Sequence, residues 1–351
     1  MRRYRLASRT GTSPFKYRQR ICVRKPRLFG RTRLAFWGLP FILLLDAGSA
    51  FVEAADTNAP GIPLVMPGTK FVAVATGPAD RKAFNDFCVF RDDHQLWHLF
   101  AISTHRSGDP AFPHPSLLHA TSRAFTGPWE HQPYLDLGPA HNWAPYIVRD
   151  PLNPLICLMF LGGSEAETLR SYESDTRDLF RWKLRKDLGK AHGTRDPMVR
   201  FDEGRQCYFL YATMASAGHG NEGIAVSVST NLNEWKTVHV IPTGSKNTCD
   251  ESPFVVKRGG WYYLWATISS IHYYRGVPTR VFRSADPEFC DLPNTRAEHA
   301  LCQFPMHAIE IVEDGEQMWI GQTGHGGPGI VFSRLQWGTG ADSKSEQQKK
   351  Q

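Results

Sequence analysis

The sequence predicts an all-β protein: a single-domain, five-bladed β-propeller over residues 69–337. Two observations carry the prediction: a strand–turn–strand unit recurs five times, and a Trp-ended turn recurs at a similar interval. A third supports it, since helical periodicity is nearly absent across the same range.

The unit is clearest in "TRDPMVRFDEGRQCYFLYAT", residues 194–213. An Arg-Asp-Pro triplet runs into a β-branched strand, an acidic Gly turn and an aromatic strand. Its relatives are "FNDFCVFRDDHQLWHLFAIS", "NWAPYIVRDPLNPLICLMFLG", "DESPFVVKRGGWYYLWATIS" and "MHAIEIVEDGEQMWIGQTG". Aligned on the residue before the Pro-like position, the copies fall at Asp86, Ala144, Asp196, Ser252 and Ala308, separated by 58, 52, 56 and 56 residues. The second element ends at Trp129, Trp182 and Trp235, 53 residues apart each time. "FRSADPEFCDL" is a fourth, Trp-less copy. Repeats of about fifty residues with about four short strands each are the signature of propeller blades. A two-sheet sandwich gives its strands no reason to recur so regularly. One Trp per blade at constant spacing points to packing.

The flanks follow from the ring. "KFVAVATG", residues 70–77, is expected to pair with the last blade near "GIVFSRLQW" and close the circle, leaving few free edges. Residues 56–68 read as a Pro/Gly-rich linker and 338–351 as a disordered polar tail. Residues 1–55 form a basic head followed by "LAFWGLPFILLL" and small residues, the pattern of a secretory signal. That predicts a secreted or periplasmic protein. An uncleaved anchor is the alternative, although twelve apolar residues are short for a bilayer span.

The formal charge of +7 sits in the head. Residues 1–45 hold twelve Lys/Arg and no acid, 46–55 hold two acids, and the remainder carries −3. A nucleic-acid groove is therefore not expected. Six cysteines lie beyond the head, an even number that permits disulfides in an exported chain. Cys290 and Cys302 flank a Pro-containing loop and are the candidate pair. No His/Cys spacing suits a zinc site.

In a propeller the first strand of each blade lines the axis, so the anchors converge on one pocket. Three blades bring carboxylates there: Asp86, Asp196 and Glu251. Two cooperating carboxyls, one protonated and one ionised, are what glycoside hydrolysis requires. Blades 3 and 4 are neighbours, so Asp196 is expected beside Glu251, keeping it protonated as general acid. Asp86 is expected to face them, ionised, as nucleophile or base. Asn85, Trp143, Arg195 and His307 adjoin the anchors as candidate substrate-binding residues. Trp143 suits stacking on a sugar face or blade packing; Arg195 suits a sugar hydroxyl or holding Asp196 ionised. No Ser or Cys lies in a nucleophile-elbow context, so acyl transfer has no support.

The pattern resembles the five-bladed propeller glycosidases of glycoside hydrolase families 43 and 32. Asp86 on blade 1, "RDP" on blade 3 and "ESP" on blade 4 match in type, order and separation, as do "HATS" with "GPWE", and "HAIEIV". The resemblance covers about residues 70–337. It implies a glycosidase acting on arabinose-, xylose-, galactose- or fructose-containing glycans. It also implies catalytic roles for Asp86, Asp196 and Glu251, no required cofactor, and in some members an axial calcium or sodium ion near His307. There are departures: Asp86 is followed by Phe87 rather than Pro, and "ESPF" replaces the Glu-Cys of family 32. The expected partner is a carbohydrate substrate, with no nucleic acid and no membrane partner beyond the export signal, and the chain is expected to be a monomer. The alternatives are a glycan-binding propeller without catalysis, or a transferase or phosphorylase, which would require an anion site beside the acids.

Overall fold

A computed structural model describes residues 61–75, 84–103, 116–138, 142–150, 152–163, 168–215, 221–244, 248–270, 278–323 and 329–338. The predicted export signal and the polar tail after residue 338 lie outside this set. Among the described residues no helix is long and apolar enough to cross a membrane.

Among the described residues, twenty-one strands make five antiparallel sheets. Two leading strands, β1 (Ile62–Val65) and β2 (Phe71–Ala75), precede the first blade. Blade 1 comprises β3 (Phe84–Arg91), β4 (Trp97–Ser103), β5 (Leu117–Ser122) and β6 (Glu130–His131). Blade 2 comprises β7 (Trp143–Arg149), β8 (Ile156–Gly162), β9 (Leu169–Asp175) and β10 (Lys183–Gly189). Blade 3 comprises β11 (Arg195–Asp202), β12 (Cys207–Ala215), β13 (Asn221–Ser229) and β14 (Lys236–Pro242). Blade 4 comprises β15 (Thr248–Arg258), β16 (Trp261–Ser270), β17 (Thr279–Ser284) and β18 (Cys302–Phe304). Blade 5 comprises β19 (His307–Asp314), β20 (Gln317–Thr323) and β21 (Gly329–Gly338). The first strands touch in the order β3, β7, β11, β15, β19 and back to β3, so the sheets form a ring.

The ring closes as expected, with β2 against β21 in the register Phe71↔Phe332. The supposed linker does more. Its residues 62–65 form β1, which pairs with the far end of β21 in the register Ile62↔Gly338. "IPLV" contains enough branched apolar character to make a short strand, and its Pro63 is tolerated because β1 lies on a sheet edge.

The core lies between blades. Phe87 and Trp97 of blade 1 pack with Trp319 and Phe332 of blade 5. Cys88 and Phe100 of blade 1 pack with Met159 of blade 2. Each repeated turn is closed the same way: the indole N–H of Trp129, Trp182 and Trp235 donates to the carbonyl of Phe125, Leu179 and Leu232, respectively. The fully buried residue of each turn is that earlier apolar one, with the Trp half-buried above it. In the Trp-less fourth copy Phe289 takes the buried position.

The expected Cys290–Cys302 disulfide does not form, and Cys88, Cys157 and Cys207 are likewise outside any disulfide. Cys302 lies in β18, whereas the Cys290 thiol sits 3.9 Å from Glu288 in a turn. Sequence proximity across the loop does not bring the two sulfurs together.

The anchor column marks a backbone device. In all five blades the pairing of first and second strands slips at the anchor: at Asn85/Phe87, Trp143/Tyr146, Arg195/Met198, Glu251/Phe254 and His307/Glu310. Ala144, Asp196, Ser252 and Ala308 adopt φ of 46°, 53°, 49° and 47° there. Left-handed backbone at non-Gly residues costs ~1–3 kcal/mol each and persists where surroundings over-determine it. Bulges of this kind bend a strand and re-aim a side chain.

Candidate active site

The bulges place the three sequence-predicted carboxylates together at one end of the axis. Ser252 joins two of them. Its hydroxyl donates to Asp86 Oδ1 at 2.9 Å, and its amide N–H donates to Asp196 Oδ2 at 3.2 Å. Thr213, on the strand paired with β11, adds a hydroxyl to Asp196 Oδ2 at 2.8 Å. Glu251 is clamped between Arg195 and His307. Arg195 Nη2 donates to its Oε2 at 3.0 Å, and His307 Nε2 lies 3.1 Å from its Oε1. Arg195 Nε stands 3.5 Å from Asp196 Oδ2, so one guanidinium serves both neighbouring acids.

Arg195 reaches this position because blade 2 makes room. A Cβ on Gly162 would lie 2.4 Å from Arg195 Cα. Trp143 starts β7 opposite that glycine and is half-buried. Asn85 sits beside Asp86 with its Oδ1 buried and without a hydrogen-bond partner. All seven residues singled out from the sequence therefore fall at the entrances of β3, β7, β11, β15 and β19.

The proton distribution differs from the expectation. Asp86 was expected to be ionised, yet burial, reinforced by the charge of Asp196, pushes its pKa up to about 7. Glu251 is expected to hold a proton; its Oε2 accepts from the Arg195 guanidinium and its Oε1 lies against His307 Nε2. Asp196 is raised by burial, with Arg195 opposing. For His307, burial pulls downward, but the Glu251 hydrogen bond and the charges of Asp86, Glu251 and Asp196 raise the net pKa. The physical reason is the guanidinium. Arg195 bonds Glu251 directly, while Asp86 accepts only the Ser252 hydroxyl and feels the His307 charge without a hydrogen bond to it.

Sequence reading missed four contributors. Ser252 belonged to the anchor column, and its hydroxyl was the available signal. Thr213 becomes identifiable only once β12 is registered on β11. Asp250 precedes Glu251 and is buried, accepting from Thr295, and burial raises its pKa to about 6. Glu310 lies deeper, in an axial cavity of about 30 Å³ shared with Asp86, Asp196, Ser252 and Tyr146. Such a volume holds about one or two waters. Burial drives the Glu310 pKa well above the carboxylate range, and the Val89 N–H is bonded to it.

His307 directs Nε2 at Glu251, and among the described residues no three His, Cys, Asp or Glu side chains gather around a point suited to a metal ion.

No protein-family model matches the chain, and no curated protein matches it. Solved structures do. An exo-1,5-α-L-arabinanase from a bovine ruminal metagenomic library is 16% identical at TM-score 0.54, over 76% of this chain and 95% of that one. The Penicillium chrysogenum α-L-arabinanase complexed with arabinobiose is 12% identical at TM-score 0.52, over 77% and 98%. A Bombyx mori β-fructofuranosidase of glycoside hydrolase family 32 is 13% identical at TM-score 0.54, over 80% of this chain and 64% of that one. At such identities the likeness establishes the five-bladed fold.

Proposed function

We propose that this protein is a glycoside hydrolase, acting at the axial end where Asp86, Asp196 and Glu251 meet. The observation that carries the proposal is the convergence of three carboxylates from three blades, with one of them hydrogen-bonded to a histidine of raised pKa. Glu251 is the general acid. Its proton is stored on His307, crosses the 3.1 Å hydrogen bond to Oε1, and passes from Glu251 to the leaving oxygen as the glycosidic C–O bond breaks. Asp86, ionised, is the base or nucleophile on the other side of the sugar. Asp196 raises the Asp86 pKa and receives a sugar hydroxyl. Asn85 Oδ1 accepts a second hydroxyl, Arg195 orients Glu251, and Trp143 supplies an apolar face. Because Asp86 must lose its proton, activity rises with pH through about 7. Arabinose-, xylose- and fructose-containing glycans are the substrate class, in keeping with the arabinanases and fructofuranosidase that share the fold. The basic head and apolar run support export.

The test is a panel of nitrophenyl glycosides with arabinan, xylan and fructan, using wild type and Glu251→Gln. Loss of the acid is expected to reduce turnover by ~10²–10⁴-fold while circular dichroism stays unchanged. Wild-type turnover by Glu251→Gln would remove Glu251 from the chemistry. A second reading, glycan binding without catalysis, is favoured by one observation: both Glu251 oxygens are already engaged. Binding of a glycan by wild type with no turnover on any of the panel selects that reading.

A further inference from the structure

The propeller axis has a second mouth. Tyr146, Met198 and Phe254 line the small axial cavity and also a larger recess of about 430 Å³ beyond it. The recess continues to Arg200, Lys257 and Glu313. Along β11, Asp196 lines the cavity, Met198 lines both spaces and Arg200 lines the recess alone. Four residues of strand, at ~3.3 Å each, set Arg200 roughly 13 Å from Asp196. This mouth is separate from the carboxylate site.

One cation here has no answering charge. Lys257 Nζ lies 3.0 Å from Asp202 Oδ2, and the Tyr262 hydroxyl donates to the same oxygen. Glu310, the buried carboxyl in the cavity above, is driven toward its neutral form by burial. Glu313 is exposed at the rim. Arg200 is partly buried, its Nε is sealed from solvent without an acceptor, and among the described residues it makes no ion pair or hydrogen bond. A guanidinium stays charged at any physiological pH. Holding it over an apolar floor is unfavourable unless an anion or water answers it, and its fork of donors fits the paired oxygens of a carboxylate or phosphate.

We propose that this recess binds a small oxyanion, a phosphate or carboxylate group, with Arg200 as the bidentate donor. The site is independent of the glycosidase reading and requires no turnover to detect.

Inorganic phosphate and galacturonate, each titrated calorimetrically into the full chain at constant ionic strength, test it. Wild type binds at least one of them saturably. Arg200→Gln weakens that binding about tenfold or more, as loss of a charge-assisted pair predicts. Glu313→Gln, at an exposed position, removes the repelling carboxylate and tightens binding, which keeps the test sound if the Arg200 variant fails to fold. Tighter phosphate identifies a phosphoryl source, and tighter galacturonate an acidic sugar. No saturable binding to wild type, equal binding to Arg200→Gln, or no gain in Glu313→Gln overturns the site.

Discussion

His307 and His119 are both buried, 8% and 2% exposed, yet their protons behave oppositely. Burial alone favours the neutral imidazole in each. At His307 it is outweighed by the Glu251 bond and three carboxylate charges, and the pKa rises. At His119 burial prevails, assisted by His98, and the pKa falls to about 3. The cause is where the neighbours come from. His307 stands at the axis, where β3, β11 and β15 deliver Asp86, Asp196 and Glu251. His119 lies on β5, away from the axis. Its Nε2 is 3.0 Å from His98 Nδ1, and His98 Nε2 is 3.3 Å from Asp92 Oδ2. All three belong to blade 1. Where blades converge, charges meet and the histidine pKa is raised. Within one blade, the same residue type is a neutral, stacked part of the core.

Removing one of the converging charges tests this most strongly. Under the proposed function, Asp196→Asn is expected to reduce turnover ~10²-fold or more, because the carboxylate assigned there to a sugar hydroxyl is lost. It should also move the acid limb of kcat/KM. Asp196 is the second cause of the raised Asp86 pKa, after burial. Without that negative charge Asp86 releases its proton more readily, so the limb shifts to lower pH. A limb that stays near 7 in the variant means burial alone sets the Asp86 pKa, and the convergence argument fails for that residue.

A smaller effect comes from moving the convergence without changing its charges. In Gly162→Ala the new Cβ would meet Arg195 Cα at 2.4 Å and Asp196 N at 3.0 Å, so backbone must shift. Overpacking of this kind costs ~1–3 kcal/mol, and a displacement of about 1 Å at a catalytic residue costs up to ~10²-fold in rate. Denaturant melts and kcat, measured together, should both fall. Lower stability with wild-type kcat would show that Arg195 need not be held so closely.

The contrast also explains what the sequence made legible. A repeat fixes which residues face the axis, so Asp86 and Asp196 fall on the anchor column and Glu251 one residue before its blade-4 member, and the β2–β21 closure follows from the same ring. Which acid carries the proton depends on where Arg195 Nη2 and Ser252 Oγ point, and a repeat contains no side-chain torsions. β1 was read as linker because "IPLV" is too short to show a period. The twelve-residue separation of Cys290 and Cys302 suggests a pair, but Cys302 enters β18 while Cys290 stays in the turn beside Glu288. His98 and His119 are 21 residues apart, and their contact follows only from the β4–β5 register, in which Phe100 pairs with His119 and His98 with Thr121.

The smallest expected effect is at the neutral end of the comparison. His119 packs on Phe100 at 4.3 Å and Phe180 at 4.8 Å, so His119→Phe keeps the aromatic contacts and removes a titrating ring. His98 is likewise lowered, by burial against the pull of Asp92. An unfolded His titrates near ~6.5, so below that pH the unfolded chain binds protons that the native rings do not. Their contribution to stability is complete above ~6.5 and is lost as pH falls toward the folded values, by up to ~1.4 kcal/mol per pH unit for each ring. His307 has the opposite sign, stabilising below ~6.5 and losing that contribution as pH rises through its folded pKa. It is common to both proteins and cancels in the comparison. Urea unfolding from pH 7.5 to 4.5 should therefore give a shallower acid decline in His119→Phe, by up to ~1.4 kcal/mol per pH unit. Parallel curves would mean that His119 accepts its proton inside the folded blade, and that burial in one blade does not keep it neutral.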